Sequence, residues 1–168
     1  YGDYIISPLY EIDLSKLDKN KEFSIDICSF RNCNGLTEIN IPNSVTSIGN
    51  RAFGYCSNLS SITVSELNEV YDSRDNCNAI IETSTNKLVY GCTNTIIPNS
   101  ITIIGEEAFY YCSGLTEIVI PDSVTSISAR AFMGCNSLTT VTLGSGVTSI
   151  GSQAFNECSS LTGMVFPD

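Results

Sequence analysis

The stretch RAFGYCSNLSSITV, from Arg51 to Val64, decides the fold, because versions of it recur along the chain. The other copies are CSFRNCNGLTEINI (28–41), EAFYYCSGLTEIVI (107–120), RAFMGCNSLTTVTL (130–143) and QAFNECSSLTGMVF (153–166). A motif that returns at a fixed period in the low twenties is typical of stacked supersecondary units. The sequence therefore predicts a repeat architecture.

The spacing of the copies sets the number of coils. The phenylalanines that follow the recurrent Ala or Ser are separated by 23, 56, 23 and 23 residues; they are Phe30, Phe53, Phe109, Phe132 and Phe155. The last strand residues step by 23, 33, 23, 23 and 23; they are Ile41, Val64, Ile97, Ile120, Leu143 and Phe166. The gap of 56 is thus one regular coil and one enlarged coil, which makes six coils of a solenoid.

One coil can be interpreted residue by residue. Leu115, Ile118 and Ile120 follow an L-x-x-L-x-L pattern whose final pair has the period of two of a strand. Pro121 then ends the strand, because proline donates no backbone hydrogen bond. The SVTSIG segment is expected to form the opposite wall of the coil. The glycine at its end (Gly49, Gly105 or Gly151) is expected to release the backbone for a turn. The Ala-Phe pair is then expected in a short helical turn.

The pattern AFxxCxxLTxIxIPxSVTSIG, nearly intact at 108–128 and 131–151, resembles the BspA-like leucine-rich repeat family. Gly144 stands where that pattern has proline. The resemblance implies an α/β fold, namely a curved leucine-rich-repeat solenoid with a parallel strand ladder and short helical turns. Residues 28–168 carry the resemblance, and residues 1–27, which lack the Ala-Phe and Cys positions, are predicted to form a degenerate first coil or cap.

The enlarged coil, at about 65–97, contains two strand-like segments, AIIET and KLVYG, joined by a polar turn. The sequence predicts a β-hairpin insertion there, which also fits the family. Two interpretations stay open: a projecting recognition element, or a decoration that widens one side of the solenoid.

Five of the eight cysteines occupy one repeat position, three residues after the phenylalanine: Cys33, Cys56, Cys112, Cys135 and Cys158. A column of thiols does not converge on a metal, so we expect buried free thiols that act as small apolar side chains and no metal site. Cys77 and Cys92 flank the predicted hairpin and are the candidate pair for a disulfide, provided that the register places them opposite each other.

Composition and charge restrict the function. The formal net charge of -10 excludes nucleic acid and anionic membrane surfaces as favoured partners, and no apolar run is long enough for membrane insertion. The chain has no histidine, which removes Ser-His-Asp and Cys-His nucleophile systems. We therefore predict a protein that is not an enzyme and needs no cofactor. The alternative is a carbohydrate-binding or glycoside-cleaving domain that uses Tyr71, Asp72 and Asp75 of the insertion.

The candidate partner-binding residues are those that point outward from the strands. They form two columns along the predicted ladder: Glu38, Asn40, Thr63, Ile96, Glu117, Val119, Thr142 and Val165. Solenoids present extended faces of this kind to partners, and an apolar centre with flanking carboxylates favours a protein surface or an extended peptide that carries some positive charge. We expect a protein-interaction module.

The resemblance adds an expected setting, because members of the family are bacterial or protist proteins that are often surface-associated and implicated in adhesion to host or matrix proteins. It implies a cell-surface or secreted adhesion protein. A further alternative is a structural spacer within a larger surface protein. The final stretch LTGMVFPD lacks a polar capping coil, so the sequence predicts either further chain or end-to-end self-association at this coil.

Overall fold

The computed structural model describes residues 12–18 and 20–166 of the chain. These residues form two 3-10 helices, Leu14–Lys16 and Arg74–Asn76, and thirteen strands. The strands are β1 (Phe23–Ile25), β2 (Glu38–Ile41), β3 (Val45–Ile48), β4 (Ser61–Val64), β5 (Tyr71–Asp72), β6 (Ala79–Glu82), β7 (Lys87–Gly91), β8 (Ile103–Ile104), β9 (Glu117–Val119), β10 (Ser126–Ile127), β11 (Thr140–Thr142), β12 (Ser149–Ile150) and β13 (Gly163–Val165).

The strands form the two walls of a solenoid, and the predicted stacking of coils is confirmed. On one wall, here called the strand face, β2 pairs with β4 and β11 pairs with both β9 and β13, all in parallel. Val141 lies opposite Ile118 and Met164, each 23 residues away. The opposite wall contains the pair β1–β3 and a six-stranded sheet in the order β12-β10-β8-β7-β6-β5.

The phenylalanines stack along the interior in two groups. The ring centroids of Phe109 and Phe132 are 4.8 Å apart and those of Phe132 and Phe155 are 5.1 Å apart, with nearly parallel planes. Phe30 stacks on Phe53 in the same way at 5.6 Å. Between the groups, Tyr90 of β7 packs edge-on against Phe53. The shared dry interior that the repeats predict is therefore present, with one interruption at the enlarged coil.

The Ala-Phe segments form tight turns where we expected short helical turns. Each turn has two residues with left-handed φ, one before the Ala and one two residues after the Phe. They are Cys28, Asn32, Arg51, Tyr55, Glu107, Tyr111, Arg130, Gly134, Gln153 and Glu157. The reason lies in the hydrogen bonds: Phe109 N–H donates to Ala131 O of the next coil at 2.7 Å. A helix would direct this donor along its own chain, whereas a left-handed turn directs it to the neighbouring coil.

The glycines that end the back-wall strands serve close packing rather than a change of backbone direction. None of Gly49, Gly105 and Gly151 has a left-handed φ. A Cβ at these positions would lie 2.5, 2.7 and 2.5 Å, respectively, from backbone atoms of an adjacent coil. We expected them to release the backbone for a turn, and this was wrong: glycine is needed here because neighbouring backbones approach too closely for a side chain.

The cysteine column is part of the hydrogen-bond system of the interior. The thiols of Cys56, Cys135 and Cys158 each lie 3.1 Å from the carbonyl oxygen of the phenylalanine in the coil stacked before their own. All eight cysteines are free. In the hairpin Ala79 lies opposite Gly91, so Cys92 is opposite Asn78 and one residue out of register with Cys77. The Cys92 thiol donates to Asn78 O at 3.2 Å.

The strands β6 and β7 pair in antiparallel fashion and divide the core into two clusters. Ile80 and Tyr90 pack in the cluster nearer the N-terminus, whereas Ala79, Ile81 and Leu88 pack in the cluster that contains the Phe109–Phe132 stack. Ala79, Ile80, Ile81 and Leu88 are each 0% exposed. These two strands therefore act as an internal partition with two apolar faces. Their burial argues against the interpretation of the insertion as a projecting recognition element.

The enlarged coil has no Ala-Phe turn, so the turns of the coils on either side meet directly. Gly91 N–H donates to Ala108 O at 3.0 Å, the bond that a phenylalanine makes elsewhere. Across this junction Arg51 Nε donates to a carboxylate oxygen of Glu107 at 2.8 Å, although the two residues are 56 apart. Glu107 is 3% exposed, and Arg51 compensates the burial of its charge.

The N-terminal segment is only partly described. Of the predicted cap (1–27), residues 1–11 and 19 lie outside the described residues. Within the rest, β1 pairs in parallel with β3, and Leu14 and Ile25 are buried in the N-terminal core cluster. That this segment acts as a cap stays a prediction.

The buried thiols predict that the protein loses stability at alkaline pH. Burial raises the pKa of Cys56 and of Cys112 from 9.0 to about 12. The pKa of each thiol is thus higher in the folded than in the unfolded protein. Below pH 9 both states keep the proton and the full stability is present. Between pH 9 and 12 only the unfolded chain releases the proton, so the free energy of unfolding falls as the pH rises. At pH 10 each thiol costs about 1.4 kcal/mol of the free energy of unfolding.

Urea denaturation at pH 7, 8, 9 and 10 measures this effect. The matched variant is Cys112→Ala, which should lose about 1.4 kcal/mol less than the parent between pH 8 and pH 10. Equal pH dependence in the two proteins would contradict the assignment of the effect to this thiol.

Candidate partner-binding face

The outward residues of the strand face lie in the register that the repeats predict. Thr140 lies opposite both Glu117 and Gly163, while Thr142 lies opposite both Val119 and Val165. In the other part of this wall, Glu38 lies opposite Ser61 and Asn40 opposite Thr63. Parallel pairing without a register shift makes each repeat position a straight column.

The first of two concave regions on this wall is here called the apolar groove. It has a volume of about 640 Å³, and its lining includes Ile96, Val119, Thr142, Glu117 and Asp122. Ile96 is 74% exposed and Val119 is 63% exposed, although both are large apolar side chains beside each other by repeat phase. Exposed apolar side chains that form a patch are typical of a contact surface.

The second concave region, here called the polar groove, has a volume of about 540 Å³. Its lining includes Glu38, Asn40 and Thr63 together with Leu67 from the enlarged coil. Leu67 is 76% exposed. Of the predicted partner-binding residues, the structure therefore collects three here and four in the apolar groove, with Val165 one coil beyond Thr142.

A segment of the enlarged coil separates the two grooves. The Ser73 hydroxyl donates to Ile62 O at 3.2 Å, and Ile96 N–H donates to Cys77 O at 3.0 Å. Residues 73–77 are thus a wedge between β4 and the segment that carries Ile96. The two outward columns, predicted to be continuous, are interrupted at the wedge. The repeat period could not indicate this interruption, because the wedge residues do not belong to the repeat.

The electrostatics of this wall are acidic. Asp122 accepts hydrogen bonds from the backbone and the hydroxyl of Ser145, at 2.7 and 2.9 Å, and these bonds lower the pKa of Asp122. Glu38 and Glu117 are exposed and take part in no ion pair with the described residues. A ligand group of positive charge would find unneutralised carboxylates in both grooves.

The alternative site in the insertion is occupied by internal contacts. Tyr71 is 6% exposed, and its hydroxyl accepts a hydrogen bond from Ile48 N–H at 3.2 Å, so the ring offers no face to a sugar. Burial by itself raises the pKa of Asp72, but hydrogen bonds from Arg74 outweigh it, so the pKa of this carboxyl is lowered overall. Asp72 is thus a structural anion held by Arg74 and Thr83, and Asp75 is exposed on the wedge.

The turn edge carries an aromatic cluster that no sequence pattern predicts. Tyr55 stacks on Tyr111 at 4.0 Å, and the guanidinium groups of Arg31 and Arg51 lie over the rings of Tyr55 and Tyr110 at 4.8 and 4.7 Å. These contacts tie together the coils on either side of the enlarged one, and they engage the rings in internal packing. Only the direct meeting of distant turns creates this cluster, so no local pattern could have revealed it.

Metal ligation and membrane crossing both bear on function. Among residues 12–18 and 20–166, no group of three or more His, Cys, Asp or Glu side chains is arranged to hold a metal ion. Within the same part of the chain, no helix has the length and apolarity that a membrane crossing requires.

The family model described as "BspA type Leucine rich repeat region (6 copies)" matches residues 9–90 and 80–168. Six copies agree with the six coils counted from the strand positions. No protein of curated function matches the sequence significantly.

Solved structures share the fold. A leucine-rich cell surface protein from Faecalibacterium prausnitzii is 28% identical with a TM-score of 0.52, covering 79% of this chain and 48% of that one. A leucine-rich repeat protein from Bacteroides ovatus is 26% identical with a TM-score of 0.53, covering 86% and 36%. The pneumococcal vaccine antigen PcpA has a TM-score of 0.57 at 19% identity, covering 79% and 39%, and shows the fold alone. The chain spans about half or less of the length of each.

Proposed function

Since the chain belongs to the BspA-type leucine-rich repeat family, we propose that it is a non-catalytic protein-interaction module whose partner docks on the strand face. The observation that carries this proposal is the pair Ile96 and Val119, which line the apolar groove and are 74% and 63% exposed. Burying these side chains against a partner would contribute about 25 cal/mol of favourable binding free energy per Å² of apolar surface removed from water.

The proposed partner is a protein surface or an extended peptide with some positive charge. Glu117 and Asp122 are among the residues that line the apolar groove, and the net charge of the chain is -10. Complementary charge raises the association rate and favours one partner over another more than it raises affinity. Apolar contact with Ile96 and Val119 therefore supplies most of the proposed binding energy, and the carboxylates supply selectivity.

We also propose a location on the cell surface or outside the cell, and a role in adhesion. The support is family membership together with the description of the Faecalibacterium protein as a cell surface protein. An adhesive role fits an exposed groove more directly than a role as a structural spacer does, because a spacer has no use for exposed apolar side chains.

The test is selection of binding peptides from a random 12-residue display library, followed by binding to the double variant Val119→Lys with Thr142→Glu. Both positions lie in the groove, directly opposite each other. A partner that covered this Lys–Glu pair would have to remove two charges from water in place of making apolar contact, which opposes binding. Peptides selected on the parent protein should lose at least about tenfold in affinity on the variant, which corresponds to about 1.4 kcal/mol.

The matched control is Asn136→Lys with Ser137→Glu, which introduces the same charges at two exposed turn positions. This variant should bind the selected peptides like the parent protein, and circular dichroism should show both variants folded. Unchanged binding by the Val119→Lys/Thr142→Glu protein would remove the strand face as the partner site. Binding to immobilised matrix proteins, compared between the same three proteins, tests adhesion in the same way.

A further inference from the structure

We infer that the strand face binds one extended peptide that crosses both grooves and carries two basic anchors about four to six residues apart. This inference rests on the proposed function, since it takes the strand face as the partner site. It adds the form of the partner, the number of its anchors and their spacing.

The first argument is the repetition of one acidic position. Glu38 and Glu117 occupy the same repeat slot, each at the start of its strand, and one lies in each groove. Both are exposed and have no ion-pair partner among the described residues. The intervening members of the column, Ser61 and Asn94, are uncharged, so the column presents two separated negative charges.

The second argument is the apolar surface beside each acid. Val119 is exposed in the groove of Glu117, and Leu67 is exposed in the groove of Glu38. Each groove therefore combines a free carboxylate with an exposed aliphatic side chain. A lysine or arginine next to an aliphatic residue complements both features, because the long basic side chain also packs its methylene groups on apolar surface.

The third argument is that the path between the grooves, within the described residues, carries no free cation. Arg74, on the wedge, is held by bonds to Asp72, Asn86 and Ser100. The wedge also presents the exposed Asp75. A basic peptide that runs along the column thus meets negative charge at both ends and no repulsion on the wedge, which favours one continuous partner over two.

Strand geometry sets the spacing of the anchors. From Glu38 to Glu117 the column passes through Ser61 and Asn94, which makes three steps of about 4.8 Å. Thr93 N–H donates to Leu59 O at 3.2 Å, so the coils are in contact at the start of the strands and diverge around the wedge towards their ends. Allowing up to one further step for the wedge gives about 14–19 Å, which an extended peptide covers in about four to six residues.

The experiment uses synthetic peptides with two Lys-Val anchors joined by Ser-Thr spacers, with the lysines two, five or twelve residues apart. A single-anchor peptide and a peptide with Glu-Val anchors are the references. Fluorescence anisotropy at fixed salt gives the Kd. We expect the five-residue spacing to bind at least about tenfold tighter than the single anchor, since the second contact becomes intramolecular, and the Glu-Val peptide not to bind.

Variants separate the inference from the proposed function. Glu38→Gln should reduce the affinity of the five-residue-spaced peptide to that of the single anchor, whereas Glu106→Gln, an exposed acid of the turn edge, should change nothing. Affinity independent of spacing, with binding still abolished in Val119→Lys/Thr142→Glu, would overturn this inference and leave the proposed function intact. Failure of every peptide, including those from the display library, to bind the parent protein would overturn both.

Discussion

Phe132→Ala is expected to lower the free energy of unfolding by about 3–5 kcal/mol, the range for removing a buried aromatic ring. Phe132 is 0% exposed and lies between two stacked rings, with centroids 4.8 Å from Phe109 and 5.1 Å from Phe155. Its removal leaves a cavity that the neighbouring rings are not placed to fill, because Phe109 N–H is bonded to Ala131 O and Phe132 N–H to Ala154 O, which fixes the spacing of the three coils. Removing the ring also abolishes aromatic stacking on both of its faces, which adds to the cost of the reduced burial.

Urea denaturation followed by circular dichroism measures the change. Phe132→Leu is the matched variant, since it keeps an apolar side chain in the core and removes only the ring stacking and part of the volume. We expect Phe132→Leu to cost about 1–2 kcal/mol. A decrease below about 1 kcal/mol for Phe132→Ala would mean that the stack is not the continuous interior of the coils.

Gly91→Ala is expected to cost about 3 kcal/mol or more, at the upper end of the range for overpacking a core. Gly91 takes the backbone position of the missing phenylalanine in the enlarged coil, and the ring of Phe109 lies directly over it. A Cβ there would lie 2.1 and 2.3 Å from two ring carbons of Phe109. The ring cannot move away, because Phe132 packs against its other face.

The matched control is Gly163→Ala, where a Cβ meets no atom within 4 Å and the expected change is within about 0.5 kcal/mol. A second variant identifies the clash: Gly91→Ala combined with Phe109→Leu should be more stable than the sum of the single changes, because the smaller side chain admits the methyl group. Additive losses, or a Gly91→Ala protein as stable as the Gly163→Ala protein, would contradict the packing described for the partition.

The partition also bears on how the candidate site is held. The wedge (73–77) leads into β6, and β6 is anchored in both core clusters by Ile80 on one side and Ala79 and Ile81 on the other. A change at Gly91 that disturbs β6–β7 is therefore expected to displace the wedge as well. Loss of stability and loss of partner binding should accompany each other in this variant, whereas Phe132 lies farther from the wedge.

The sequence by itself determined the repeating part of this protein: the six coils, the stacked phenylalanines, the cysteine column and the outward columns that contain Glu117 and Val119. It could do so because equivalent residues of successive coils pack against each other, so the period alone predicts the neighbours. Only the tertiary structure decided what happens where the period fails. The partition, the wedge between the grooves and the ion pair of Arg51 with Glu107 join residues of different phase or of distant coils. The left-handed turns also depend on the tertiary structure, because hydrogen bonds to the next coil, rather than local propensity, select them.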